Sequence, residues 1–413
     1  MKNFFLSPKP RLLTLLYVLA LSPYASAASP KFQVLHAFAG GASDGAYPTS
    51  KLVLDPHGDL FGTTSEGGSL TECSSNGCGT AFELSPQNRR WKENVFFDFS
   101  PSSNGGFPNP SGPAVFDSKG NVYGTQSYGG DGLGAIYQLA RSGNVWTENV
   151  LHDFGGTSDG FYPYWGLVRD ASGNLYGATE NGGSNGSGTV FELTSNADGT
   201  WTYNIIYEFG SGGVYDASGP YGPLTVDASG ALYGTSQGGG TYGYGTVFKL
   251  SSSNGVWTDT VLFNFTLDYG SDPSPVGVVL DASGNLYGST TYGGPYGVGT
   301  IYKLTPTTGF WNRTILHTFV GTDGAYPFAE LAIDESGTLY GTSNSGGTFG
   351  YGNVYKLSST NGKWNQTILH EFTKSTDGAN PFAGVTLDQQ GNLFGVAEDG
   401  GAYGLGVVFE ITP

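Results

Sequence analysis

Short runs of aliphatic, β-branched and aromatic residues alternate with clusters of Gly, Asn, Ser and Asp along almost the whole chain. That punctuation predicts strands joined by tight turns. The runs come in four kinds, always in the same order. The first precedes an Asp, as in Leu331–Ile333. The second is aliphatic-aromatic-Gly, as in Leu286–Gly288. The third reads Gly-Thr-Val-Phe-Lys-Leu, as in Gly245–Leu250. The fourth opens on Trp and closes on Phe, as in Trp257–Phe265. Asp-Ala-Ser-Gly-Asn links between runs one and two predict hairpin turns.

The four-run unit recurs seven times. Its signature is Asp, then Gly-x-aliphatic-aromatic-Gly, at Asp55, Asp117, Asp170, Asp227, Asp281, Asp334 and Asp388, with intervals of 62, 53, 57, 54, 53 and 54 residues. Four antiparallel strands per unit, seven units, predict an all-β, seven-bladed β-propeller. The runs do not alternate cleanly between apolar and polar, as expected of strands covered on both faces. A β-solenoid is the competing fold, and the termini decide against it. Residues 32–38 repeat the fourth run, as in Ile368–Phe372, and the chain ends after a third run, Val407–Ile411. The N-terminal strand is therefore expected to complete the last blade, close the ring and cover its open edge.

Composition adds location. Gly is 69 of 413 residues, against helices, while 38% apolar with 14% aromatic is too rich for a disordered chain. Lys2, Lys9 and Arg11 precede an apolar run, Leu12–Leu21, and then Ala25-Ser26-Ala27. This pattern predicts a signal peptide over 1–27, a single propeller domain over 28–413, and a secreted product, extracellular or periplasmic. The apolar run is too short to span a bilayer, so membrane insertion is not expected. Loss of the leader removes three of 17 basic residues and no acid, leaving 14 against 34, net −20. That charge opposes nucleic acid and anionic lipid, and suits neutral glycans, basic partners or cations. A monomer is expected.

The recurring Leu-Tyr-Gly-Thr, Gly-Gly, Gly-Thr-Val-Phe-Lys-Leu and Ile-Leu-His-x-Phe pieces resemble the GloVer tandem repeat of bacterial choice-of-anchor extracellular proteins, over residues 32–413. The resemblance implies an exported bacterial repeat protein and carries over no catalytic residue.

Candidate chemistry falls in the loops. Alternating strand direction puts the loops between strands two and three on one face, here the top, with those leading from strand four to the next strand one. The latter carry an Asp four residues before a Pro in five units, at Asp44, Asp159, Asp216, Asp323 and Asp377; Gly106 and Gly270 replace it in units two and five. The ring of carboxylates is expected near the channel mouth, as a ligand or Ca2+ rim or as turn-forming Asx residues. Aromatics in the two-to-three loops, among them Tyr242, Tyr292 and Tyr351, offer faces for sugar stacking or blade packing. Trp165 is the only Trp outside the repeated position and is a further binding candidate. His36, His152, His317 and His370 share one strand-four position with Phe97, Tyr207 and Phe263, so the ring shape is expected to matter there and metal ligation is not. The seven signature Asp residues read as turn caps. Cys73 and Cys78 read as a disulfide in the longest top loop. No Gly-x-Ser-x-Gly elbow, zinc-binding His pair or phosphate-cradling loop is present. The expectation is a binding scaffold for glycan or protein on the top face, with no catalytic residue, metal or cofactor assigned. The alternative is an exported polysaccharide hydrolase or lyase using two of the rim Asp residues.

Overall fold

The computed structural model describes residues 29–55, 57–69, 76–87, 90–100, 112–129, 132–143, 145–213, 216–266 and 273–413. The expected leader, Cys73, Gly106 and Gly270 lie outside the described residues. The chain forms a seven-bladed β-propeller of antiparallel sheets. Blade six shows the plan: strands Ala332–Ile333, Leu339–Ser343, Asn353–Thr360 and Lys363–Glu371, in that spatial order. Strand one is shorter than its sequence suggests, two residues in most blades. In blades one and four a separate extension, Gly45–Pro48 and Ala217–Pro220, also pairs with strand two. Strand one lines the axis, where Lys51 of blade one pairs with Glu330 of blade six.

Strands two and three are buried because neighbouring blades cover both faces. Leu339–Ser343 is buried at every position. Strand four is outermost and does alternate; Lys363–Glu371 begins exposed, half-buried, exposed, half-buried. The stiff β-branched and aromatic content of these strands suits a packed, pleated surface.

The blades are joined by one repeated contact. The Phe that ends each strand four is fully or almost fully buried, at positions 38, 99, 154, 209, 265, 319 and 372. Each packs on an aromatic of the next blade's strand three: Phe82, Tyr137, Phe191, Phe248, Tyr302, Tyr355 and Phe409. Centroids lie 5.0–5.6 Å apart, mostly edge to face. This is the favoured geometry for two ring quadrupoles. The same third-strand ring explains the signature Gly of strand two. A Cβ on Gly395 would lie 2.5 Å from Phe409, and one on Gly62 would lie 2.6 Å from Phe82.

The ring closes as expected. Lys31–Ala37 pairs antiparallel with Val407–Thr412, with Val34 opposite Phe409 and His36 opposite Val408. Phe38 then donates its N–H to Gly406 O at 3.0 Å and packs on Phe82 of blade one. Phe38→Ala is expected to cost about 3–5 kcal/mol by leaving a cavity, read from denaturant melts. Deleting residues 31–38 should in addition bare the edge of Val407–Thr412 and produce self-association, read by light scattering; a monomer of unchanged stability would contradict this closure.

Candidate functional site

The five loop carboxylates sit in one local design. In blade three, the loop after strand four of blade two carries Asp159, which accepts the N–H of Gly155 at 2.9 Å and lies 3.1 Å from His152 Nε2. Asp44 does the same with Ala39 N–H and His36, Asp323 with Val320 N–H and His317, and Asp377 with Thr373 N–H and His370. At Asp216 the partner is the Tyr207 hydroxyl, 3.2 Å away, with Gly212 N–H at 3.0 Å. The ring position of strand four and the loop Asp therefore work as a pair. Where strand four carries Phe97 or Phe263, which cannot hydrogen-bond, the following loop has Gly106 or Gly270 in place of Asp. This co-occurrence is written in the sequence but is invisible when the two positions are read separately.

The pairing also changes the location of the carboxylates. The expected place was the channel mouth. Because each is held by a ring on the outermost strand, it lies at the outer seam between blades. Turn N–H groups and the ring occupy its oxygens, which favours the Asx-turn reading of these residues.

Each seam has a second partner from the next blade's strand four. Tyr203 stacks on His152 with centroids 3.7 Å apart, and Phe32 stacks on His370 at 3.6 Å. Arg313 lies over the Phe263 ring at 5.0 Å, and Gln366 donates to Asp323 O. In the closing seam the partner is Glu93. Its Oε1 is buried and has no hydrogen-bond partner, and burial above all pushes its carboxyl up to about 7. One donor atom each from His36, Asp44 and Glu93 lie within 4.8 Å of one another. Among the described residues this is the one group of three His, Cys, Asp or Glu side chains close enough to share a metal ion, and an imidazole with two carboxylates suits a borderline divalent ion better than Ca2+.

The aromatics divide into three groups. Tyr242, Tyr296, Phe349 and Tyr403 occupy the same Gly-flanked loop tip in blades four to seven and are 53–64% exposed. Tyr292 is exposed beside them and meets Tyr326 at 5.5 Å. Tyr351 instead lies half-buried in a seam under Lys374. Trp165 is 5% exposed and packs on Tyr221 at 4.6 Å, so it is interior where the sequence suggested a rim. Sibling positions hold the smaller Ser50, Gly112, Gly222, Val276, Ala329 and Ala383. Its neighbour in sequence, Tyr164, and the residues at that same position in blades four, six and seven, Tyr221, Phe328 and Phe382, form an inner aromatic tier that the sequence reading missed. The stacked pair Phe328–Phe382 belongs to it. Its signal is the position directly after the loop Pro.

That Pro follows a residue in the left-handed region: Tyr47, Tyr162, Tyr326 and Asn380, with φ of 54–63°, and Gly219. Only Gly adopts this region without strain. Each N–H donates to the preceding blade's top loop, at Leu405, Leu133, Val298, Tyr351 and Ser187 respectively. The strained turn thus stitches neighbouring top loops and sets the rings of Tyr162 and Tyr326 beside Tyr128 and Tyr292.

The sequence matches the family model described as the Gloeobacter/Verrucomicrobia repeat over residues 23–228, 68–275 and 219–413. The chain belongs to this repeat family. No curated protein matches it. Among solved structures it is similar to a putative 6-phosphogluconolactonase from Bacteroides uniformis, at TM-score 0.52 and 13% identity, covering 79% of this chain and 85% of that one. A putative 6-phosphogluconolactonase from Bacteroides fragilis gives 0.51 and 13%, covering 83% and 87%. At that identity the likeness is one of fold.

In this family member the signature Asp residues are turn caps. Asp281 Oδ1 accepts the N–H groups of Ser283 and Asn285, and Oδ2 accepts the Asn285 amide and the Tyr287 hydroxyl. Burial alone would raise its carboxyl, but these hydrogen bonds outweigh it and hold it below the usual range. Cys78 is buried; its expected partner Cys73 lies outside the described residues.

Two outcomes follow from the seams. Asp323→Gly should cost about 1–2 kcal/mol, and His317→Phe should cost less in that background than alone, because Phe with Gly is the repeat's own alternative. A double-mutant cycle by urea melts reads the coupling; strict additivity would show that the pair does not act as a unit. Asp259, whose Oδ1 is buried without a partner, faces Asp216, and burial first and that charge second push its carboxyl up to about 7. The folded chain therefore keeps a proton that the unfolded chain releases near about 3.9. The stability tied to it is present at acid pH and is lost as pH rises towards 7. Asp259→Asn should match the wild type near pH 4 and exceed it at pH 8 by about 1–2 kcal/mol, less than the full shift because the residue is not wholly buried.

Proposed function

We propose that this chain is an exported repeat scaffold that binds glycan through its top face. The observation that carries the reading is the arc of four exposed aromatic tips, Tyr242, Tyr296, Phe349 and Tyr403, on consecutive blades. Exposed rings at matching places have no packing reason to be aromatic, and flat apolar faces, three of the four with a phenolic hydroxyl, suit sugar rings. Tyr292 and Tyr128 extend the surface. The Gly residues on either side have positive φ and build the turn that presents each tip, and the net charge favours a neutral ligand. The leader-like segment 1–27 and a Cys73–Cys78 disulfide fit an oxidising, exported setting.

A second reading, an exported enzyme acting on polysaccharide, draws on Asp44 and Glu93, two neighbouring carboxyls of which one is pushed up to about 7. Such a split is the general pattern of an acid with its partner base or nucleophile.

A glycan array with and without chelator tests both. Binding should appear on neutral glycans, and replacing the four tips by Ser should weaken it at least about tenfold with little change in melting temperature. An array without signal, or binding untouched by the four substitutions, removes the glycan reading. New reducing or unsaturated ends on incubation with polysaccharide, lost in Glu93→Gln, would establish the enzyme instead.

A further inference from the structure

In a chain written seven times, a residue that departs from its siblings needs its own reason. Four such departures, all basic or imidazole groups, gather at one place on the face opposite the aromatic tips. Arg169 ends strand one of blade three, where the other six blades have Leu54, Phe116, Val226, Leu280, Ile333 and Leu387. Lys119 and His57 stand at a turn position that is Ser172, Ser229, Ser283, Ser336 and Gln390 elsewhere. Arg141 pairs with Trp146 in strands three and four, where sibling pairs have Pro86, Ser195, Ser252, Pro306 and Ser359.

All four line a single cavity of about 920 Å³, built from strand one of blades one to four and reaching out under the first seam. Its walls are otherwise largely apolar and aromatic, including Phe61, Phe116, Val168, Val226 and Trp146. The two carboxylates that line it are engaged in their own turns. Asp55 Oδ1 accepts the N–H groups of His57 and Asp59. Asp117 accepts from Lys119 N–H, Asn121 and the Tyr123 hydroxyl. Arg141 is already directed by Gly143 O and the Trp146 face. Arg169 lies against the Gly173 turn and makes no ion pair among the described residues. Three of the 14 Lys and Arg residues outside the leader thus converge on one apolar hollow in a strongly acidic protein.

We infer that this cavity is a second binding site, for an organic carboxylate with an apolar or aromatic body. The cations supply the anion recognition, with the planar Arg169 fork suited to a carboxylate. The apolar walls supply the burial, and the cavity's size is that of a small-molecule pocket. The cationic rim also focuses field against the negative surround and steers anions to this opening alone.

The probe is 8-anilinonaphthalene-1-sulfonate, which joins an aromatic body to one anionic group. It should bind saturably with one site per chain, be displaced by cinnamate, and not be displaced by inorganic phosphate, which lacks the body. Arg169→Leu restores the siblings' residue and so leaves the fold intact. It should weaken the probe roughly tenfold while leaving the neutral analogue N-phenyl-1-naphthylamine unweakened. Lys119→Ser, the siblings' residue at a surface turn, should weaken the sulfonate in the same sense. Equal affinity of wild type and both variants for the sulfonate, or no displacement by cinnamate, overturns the assignment. The aromatic tips stand on the other face, so glycan binding should survive both substitutions.

Discussion

The architecture depends on one contact made seven times, the Phe at the end of each outer strand against the ring of the next blade's third strand. Each joint is interior, and each Phe N–H also donates to the Gly carbonyl that opens its own blade's third strand, at 3.0–3.1 Å. A ring of seven such joints sets blade against blade through aromatic shape, and the turn N–H groups that donate to the preceding blade's top loop add directional bonds to it. The second-strand Gly is the other half of the joint, since any side chain there would push the ring out of line. Gly is chosen at those seven positions for absence of bulk; none of them has positive φ.

Once the joints hold the blades, the outer seams and top loops are free to vary, and their variation follows rules of chemical matching. An imidazole or phenol in strand four is met by an Asp in the loop, and a Phe by Gly. The facing residue stacks, donates or supplies a cation according to what it finds. Glu93 and Asp259 are exceptions in that a carboxyl faces another carboxyl's neighbourhood, and both carry a buried oxygen without a partner. Such unsatisfied groups are costly in an interior, and burial above all pushes both carboxyls up to about 7.

The fold was legible because repetition multiplies weak signals. A single Leu-Tyr-Gly is ambiguous, but seven at near-equal spacing, with a spare fourth run at one end and a missing one at the other, leave little freedom. The site was legible only in part. The loop Asp residues were found, but their radial position depends on which strand's ring holds them, and sequence spacing carries no radial information. Trp165 looked exposed because nothing in the repeat required it; it is interior because it packs on Tyr221 of the next blade. The exposed tips and the inner tier of Tyr164, Tyr221, Phe328 and Phe382 are alike in composition and differ only in loop position. The basic cavity was not legible, because His57, Lys119 with Arg141, and Arg169 come from three successive blades and meet only when those blades pack side by side.

Closure by the first strand carries a consequence for how the chain is made. Lys31–Ala37 emerges early, yet its partner Val407–Thr412 is made last. Throughout synthesis and any translocation the opening segment must remain unzipped, with its backbone groups held by water or by a chaperone. The entropy of joining such distant ends grows only by about 0.6 kcal/mol per doubling of length, so the finished ring loses little by it. The burden falls on kinetics: the final step is a long-range search, and until it succeeds the last blade offers a bare edge to any neighbouring copy.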